Sequence, residues 1–266
     1  MICTLGDLLL DVIVRLDGPI AEDTDTYGRT RVGVGGQAAN VAAWCAALGD
    51  RARFLGKRAH DPAGRILASE LRERGVEVAG PEVEAGTGTV VSIATPDGAR
   101  TMLSDRGVST AFAPDELDER WLEGCDWLHV PGYSLVRTPL RETALAAAAR
   151  APQVSVDLSS TAAIEEVGVA AFCATVATLR PHVVFANEAE AALAGDLSAP
   201  TLVIKRGAQG CVVVTSGART ELASRETTVV DTTGAGDAFA AGFLLGGSDL
   251  ALDAAARCVA TMGAMP

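Results

Sequence analysis

The stretch Asp231-Thr232-Thr233-Gly234-Ala235-Gly236-Asp237 holds the residue types best suited to chemistry in this chain. Glycine at 234 and 236 lets the backbone approach a ligand closely and take conformations that other residues avoid. The apolar run Ala238-Phe239-Ala240-Ala241-Gly242-Phe243 that follows predicts a helix beginning there. Free N–H groups and the positive end of the helix dipole would then face whatever sits above it, which suits a phosphoryl group in transit. Asp237 falls in the first turn, where its carboxylate can take a proton from an attacking hydroxyl. The transition state of phosphoryl transfer is loose and the base takes its proton late, so an Asp of ordinary pKa suffices. A tight strand-to-helix turn with an Asp favouring the dipole accounts for each feature alone. It does not account for two threonines, two glycines and two aspartates together.

A second glycine cluster, Gly33-Val34-Gly35-Gly36-Gln37-Ala38, satisfies the dinucleotide fingerprint G-x-G-x-x-A and raises the alternative of an NAD(P)-dependent oxidoreductase. Its context opposes that reading. The preceding Tyr27-Gly28-Arg29-Thr30-Arg31 is polar, and the next strand, Arg53-Phe54-Leu55, runs into Gly56-Lys57-Arg58 with no acid to hold a ribose. The same residues read better as Gly35-Gly36-Gln37-Ala38-Ala39-Asn40 opening an alanine-rich helix that closes at Leu48-Gly49, with Asn40 offering a donor and an acceptor to a polyol. Gly6-Asp7 and Asp11 supply carboxylates that can each accept hydrogen bonds from two hydroxyls, with Asp7 also readable as a turn residue. Asn187-Glu188-Ala189-Glu190 has the form of a helix capping box. Lys205-Arg206-Gly207-Ala208-Gln209-Gly210 follows an apolar strand, where a basic residue is ordinarily solvated, and Arg106 reads equally as a surface ion-pair partner. No G-x-x-x-x-G-K-[ST] occurs, which excludes a P-loop kinase.

Taken together these motifs resemble the ribokinase-like (PfkB) carbohydrate kinase family from about Cys3 to Ala264. The carboxy-terminal segment is similar to that family's D-T-x-G-A-G-D signature without a mismatch, and Gly35-Gly36 with Asn40 to its G-G-x-x-x-N signature. The resemblance implies a three-layer α/β/α fold with a mostly parallel central sheet and a small β-sheet lid. It implies ATP-dependent transfer of the γ-phosphoryl group to a hydroxyl of a sugar or sugar-like molecule, with a nucleoside kinase as the alternative within the fold. By that likeness Asp237 is the base, and Gly234, Ala235 and Gly236 form the anion hole. Asp11, Gly35, Gly36, Asn40 and Arg106 meet the acceptor. Asn187 and Glu190 serve Mg²⁺ and phosphate, Glu190 indirectly, since Mg²⁺ keeps most of its waters. Gly207 and Gly210 turn beside the nucleotide and Lys205 reaches a phosphate. Thr233 and Asp231 lie near the phosphates or a monovalent cation such as K⁺, and a homodimer through the lid is implied as in several relatives. The chain departs from the pattern at Gln37, where ribokinases proper carry Lys, at Val108-Ser109, where Ala-Asn is common, and at Asp157-Leu158-Ser159-Ser160-Thr161, which lacks the Asn and Arg of many sugar kinases.

The elements that must position these residues alternate between short apolar runs and alanine- and leucine-rich helical patterns, the signature of a parallel α/β sheet. Strands are expected at Ile2–Leu5, Arg53–Leu55, Trp127–Val130, Val154–Val156, Val183–Phe185 and Leu202–Ile204, with a polar one at Glu226–Val230. Helices are expected at Gln37–Leu48, Pro62–Arg74, Pro139–Arg150, Ala162–Leu179, Glu188–Ala194, Ala235–Leu245 and Leu250–Met262. Leu8–Val34 and Thr87–Leu103 alternate without a crossover helix and predict an antiparallel flap turning at Pro96-Asp97-Gly98.

Bulk properties agree. The 266 residues suffice for one domain with a small appendage, and 48% hydrophobic against 21% charged is an ordinary globular balance. A formal charge of −12 argues against nucleic acid as the main partner, because a duplex binder needs a basic footprint. Six cysteines without a CxxC pair give no zinc site and read as small buried hydrophobes in a reduced compartment. No basic leader precedes an apolar core, and no run approaches the length that spans a bilayer. A cytoplasmic protein with no membrane partner is the expectation.

Overall fold

The computed structural model describes residues 1–97, 99–197 and 199–266. In chain order the elements are β1 (Ile2–Leu5), β2 (Leu9–Leu16), β3 (Gly28–Gly35), α1 (Gln37–Ala47), β4 (Ala52–Leu55), β5 (Arg58–Ala59), α2 (Pro62–Glu73), β6 (Val76–Ala79), β7 (Glu82–Val83), β8 (Thr89–Ala94) and β9 (Arg100–Asp105). There follow β10 (Trp127–Pro131), α3 (Leu140–Ala148), β11 (Gln153–Asp157), α4 (Thr161–Val167), α5 (Val169–Thr178), β12 (Val183–Asn187), α6 (Glu188–Ala194), β13 (Thr201–Lys205), β14 (Cys211–Thr215), β15 (Ala218–Leu222) and α7 (Ala235–Val259). The main sheet has the order β15-β14-β13-β12-β11-β10-β1-β4-β6, parallel from β6 to β13 and antiparallel at β14 and β15.

Strand alternation divides the core in two. Ile2 and Phe54 face a cluster with α1, α2 and α7, whereas Cys3, Leu5, Leu128 and Val130 face a cluster with α3, α4 and α5. Both sides are dry, which explains why the central strands read as unbroken apolar runs. The result is a three-layer α/β/α body, as the family resemblance implies, with a small separate sheet.

That second sheet has the order β3-β2-β8-β9. Its pairs β2–β3 and β8–β9 are antiparallel, but β2 and β8 run parallel, so the expected antiparallel flap is a mixed sheet. Alternation along a strand sets which face is buried and carries no information on the direction of a distant partner. The expected Pro96-Asp97-Gly98 turn includes Gly98, which lies outside the described residues.

Other boundaries also shift. The apolar stretch 162–179 forms two helices bent by 98°, because Gly168 at φ +87° stops the first and caps the second. Residues 226–230 form no strand; the antiparallel edge is supplied instead by β14 and β15, and β6 was likewise not anticipated. The last two expected helices run on as α7 but part at Gly246 and Gly247, whose backbone is non-helical, and helix ends at Val259, short of Met262. By length and hydropathy α7 passes as a bilayer span, which corrects the expectation that no run would. The cause is its alanine and glycine content, and 44% of its most apolar window is buried within the fold.

Asp61 anchors the small sheet to the body. It caps α2 by accepting the Gly64 N–H at 2.7 Å, and it also takes the Thr87 hydroxyl at 2.5 Å and the Thr87 N–H at 2.9 Å. Asp61→Ala should therefore cost about 1–3 kcal/mol, more than a cap alone, read as a lower midpoint in urea at unchanged slope.

Candidate active site

The chemistry-bearing residues collect at the carboxyl ends of the parallel strands, where open α/β sheets bind ligands. Asp157 ends β11, Asn187 ends β12 and Lys205 ends β13, and the register (Asp157 beside Phe185, Asn187 beside Lys205) puts all three on the face covered by α1 and α7. A cavity of about 680 Å³ opens between these strand ends, the start of α7 and the small sheet. Asp7, Asp11, Gly36, Asn40, Arg106, Asn187, Glu190, Lys205, Gly207, Thr233, Gly234, Gly236 and Asp237 all line it.

Asp237 sits in the first turn of α7 after Gly234, whose φ of +78° is the left-handed conformation that glycine adopts freely. Its carboxylate accepts a hydrogen bond from Asn40 Nδ2 at 2.7 Å, which ties the start of α1 to the start of α7. Burial pushes the Asp237 carboxyl up to about 7; Asn40 and Lys205 oppose the rise, while Asp157 and Asp7 add to it. This departs from the ordinary pKa expected of the base, because the first turn of α7 is enclosed and shared with two other carboxylates. Of the backbone expected to form an anion hole, the Ala235 N–H donates to Thr232 O at 3.3 Å, and Ala235 lines a second cavity together with Gly236.

On the acceptor side Arg106 pairs with Asp7, which is 3% exposed, and its guanidinium lies 3.9 Å from the centroid of the Tyr133 ring. Asp7 Oδ1 and Asn40 Oδ1 are buried with no hydrogen-bond partner among the described residues. Two orphaned acceptors beside a cavity call for donors from a ligand, as hydroxyls would supply. Gly35 does not line the cavity. It is glycine because a Cβ there would strike the Asp11 carboxylate, and a Cβ at Gly36 would strike the Asp7 carbonyl. Gly33 and Gly35 close β3 of the small sheet rather than the first strand of a dinucleotide-binding unit, so the oxidoreductase reading falls.

Asn187 and Glu190 form a reciprocal capping box. Glu190 N–H donates to Asn187 Oδ1 at 2.8 Å, and Asn187 donates from its backbone to Glu190 Oε2 at 2.8 Å and from Nδ2 to Oε1 at 2.7 Å. Burial, then the charge of Asp157, raises the Glu190 pKa. Lys205 Nζ lies 2.5 Å from Asp157 Oδ2. Burial works to lower the Lys205 pKa, but Asp157, Glu190 and Asp237 hold it above its ordinary value. Both oxygens of Glu190 are thus engaged, and no group of three or more metal-ligating side chains occurs among the described residues. Such a site fits Mg²⁺ held mainly by water and phosphate oxygens.

Gly207 (φ +54°) and Gly210 (φ +87°) make the turn into β14 and border a second, mostly apolar cavity of about 530 Å³ lined also by Val229, Phe239, Leu252 and Val259. The two cavities meet at Lys205, Gly207 and Gly236. Asp231 lines neither. It accepts the Thr233 N–H at 3.0 Å, the Thr233 hydroxyl at 2.7 Å and the Gly263 N–H at 3.1 Å, closing the loop before α7. Residues 262–264 bind the rest of the site together: Arg31 donates to Met262 O at 2.9 Å and the Trp44 indole to Ala264 O at 2.8 Å. Sequence reading did not single out Tyr133 or the pairing of Asp157 with Lys205. Neither belongs to a spaced motif.

A family profile described as pfkB family carbohydrate kinase matches residues 1–265. The ATP-dependent ribose-1-phosphate kinase of Halopiger xanaduensis is 31% identical over 260 residues, 91% of this chain and 83% of that one. The aminoimidazole riboside kinase of Salmonella typhimurium is 31% identical over 79% of this chain and 72% of its own. The crystal structure of adenosine kinase from Sinorhizobium meliloti superposes with a TM-score of 0.87 at 26% identity, covering all of this chain and 95% of that one. The chain belongs to the pfkB family of carbohydrate kinases.

Proposed function

We propose that this enzyme moves the γ-phosphoryl group of ATP to a hydroxymethyl or similar hydroxyl of a sugar or sugar-like acceptor, with Asp237 taking the hydroxyl proton. The observation that carries the reading is the 2.7 Å Asn40–Asp237 hydrogen bond, which supports Asp237 as the base because it joins the residue proposed to meet the acceptor to the first turn of α7. The acceptor lies over Asp7, Asp11 and Asn40, its hydroxyls filling the orphaned acceptors. The adenine occupies the apolar cavity against Phe239, Leu252 and Val229, and the triphosphate crosses Gly207 and Lys205 to reach Gly234–Gly236. Mg²⁺, held through water by Glu190, neutralises phosphate charge when bound. A base titrating near 7 is matched to neutral conditions, and kcat/KM should rise with pH to a plateau above that value.

The small sheet acts as a lid whose closure keeps water from the phosphoryl group. Its other face carries Val12, Val14, Val32, Val91, Ile93 and Leu103, with Val32 and Leu103 well exposed, and this aliphatic face supports pairing of two lids into a dimer. A monovalent cation such as K⁺ is assigned to the neighbourhood of Asp231. Neither membrane nor nucleic acid has a part in the reaction.

A nucleoside acceptor is favoured as the second reading by Tyr133, which gives the acceptor cavity an aromatic wall beside Leu9, Val90 and Val136. The test is MgATP with ribose, ribose 1-phosphate, fructose, adenosine and aminoimidazole riboside, with products read by ³¹P NMR. A phosphorylated acceptor formed in step with ADP is expected from at least one of them. No acceptor-dependent ADP from any of them overturns the proposal.

A further inference from the structure

Among the described residues Lys205 is the cation at the crossing of the two cavities, and three carboxylates surround it: Asp157, Glu190 and Asp237. Glu190 is committed to Asn187 through both oxygens. Asp157 and Asp237 therefore compete for the ammonium. Asp157 wins: it is 1% exposed, its Oδ1 is fixed by the Ser159 N–H at 2.9 Å, and its Oδ2 meets Nζ at 2.5 Å. The two residues end strands that flank β12, about 10 Å apart by ordinary strand spacing, so the lysine stem must reach over the end of β12 to make the bond. The reach carries Nζ close to Gly236, where a Cβ would come within 3.2 Å of it.

We propose that Asp157 is a positioning residue that holds the Lys205 ammonium beside Gly236, so that it meets the transferred phosphoryl group and does not neutralise Asp237. The idea rests on the reading of Asp237 as the base. An ammonium that settled on Asp237 would block the nucleophile and stabilise the carboxylate as an ion pair, leaving a weak base. Parked on Asp157, the same ammonium is a preorganised donor for charge that develops over Gly234–Gly236, and it can exchange one oxyanion for another without leaving a buried charge alone. The groups facing Asp237 are Asn40 from α1, Asp7 after β1, Asp157 from β11, Lys205 from β13 and the Cys258 thiol from the far end of α7. Arg106 is already taken up by Asp7. Of these, only Asp157 and Lys205 form an ion pair with each other.

The experiment uses the full chain with ¹³C-carboxyl aspartate, following the Asp237 resonance against pH without ligands and assigning it by its loss in Asp237→Asn. Asp157→Asn should lower the Asp237 midpoint by more than it does in a Lys205→Met background, where only the lost repelling charge of Asp157 acts, because the ammonium moves to the remaining carboxylate. Lys205→Met should raise it. In turnover, Asp157→Asn should reduce kcat roughly 10²-fold with acceptor KM little changed, and Lys205→Arg should retain more activity than Lys205→Met. Because Asp157→Asn leaves a lysine unpaired, the double variant D157N/K205M guards against misfolding: it should fold, keep a low kcat and return the midpoint toward that of the parent. An Asp157→Asn shift no larger with Lys205 present than in the Lys205→Met background, or a shift in the same direction in both single variants, overturns the proposal. Near-full activity in Asp237→Asn would instead overturn the base assignment, a separate failure.

Discussion

Asp237→Asn should slow phosphoryl transfer about 10²–10⁴-fold and, in the same protein, raise stability above pH 7. The kinetic half follows from losing the proton acceptor while keeping shape, since the amide oxygen can still accept from Asn40 Nδ2. The stability half follows from linkage. Burial raises the Asp237 carboxyl from 3.8 to about 7, so the folded chain holds that proton more tightly than the unfolded chain does. Below 3.8 both states are protonated and the group is neutral toward folding. As pH climbs from 3.8 to about 7 the unfolded chain releases this proton while the folded chain still holds it, so stability falls by at most about 4 kcal/mol, a loss complete above 7. Asparagine has nothing to titrate. Its advantage over the parent in urea unfolding should therefore grow from pH 5 to pH 8, and an offset equal at both values would refute the buried-carboxylate account. The protein would be shown to hold a destabilised group where its chemistry needs one.

The second large effect is expected at Gly234. Alanine there must hold φ at +78°, and its Cβ would lie 2.5 Å from Ala264 Cα and 2.6 Å from Ala264 Cβ. Backbone cannot yield as a side-chain tip does, so either the start of α7 or residues 263–264 must move. The carbonyl of Ala264 takes the Trp44 indole and the Gly263 N–H reaches Asp231, so the displacement spreads to α1 and to the loop before α7. Gly234→Ala should lose about 10²-fold or more in kcat and about 1–3 kcal/mol of stability. Gly236→Ala is the control: its Cβ would meet side-chain atoms of Lys205, Nζ nearest at 3.2 Å, and no backbone, in ordinary helical backbone. Its unfolding midpoint should stay near the parent's. Equal destabilisation by the two substitutions would contradict this reading of the loop.

Much of the central body is legible because buried parallel strands must be apolar on both faces, as Val183-Val184-Phe185 and Leu202-Val203-Ile204 are. The small sheet is legible as alternation, but the parallel pairing of β2 with β8 is a long-range choice that no local pattern records. The continuous apolar composition of 162–179 hides the bend at Gly168, since a single glycine is tolerated in many helices. In the site, the residues that lie in spaced motifs announce themselves: the glycines before α7, Asn40 after Gly36, Glu190 three residues past Asn187. What was illegible depends on which strand ends become neighbours. Asp157 ends an unremarkable strand and Lys205 another, and their meaning arises from the sheet order that lets one reach the other across β12. The raised pKa of Asp237 is illegible for the same reason, being set by burial and by charges from three other elements.

The bond between Asn40 and Asp237 also bears on synthesis. The helix that carries Asn40 leaves the ribosome early, yet its partner lies 197 residues further on. Strand β1 sits inside the sheet between β4 and β10 and has only the first of those neighbours until residue 127 and beyond have been made. A chain that ends before α7 therefore lacks Asp237, the partner of Asn40, and the left-handed turn at Gly234. Such partial chains should release no ADP from ATP, a consequence of the order of elements along the chain.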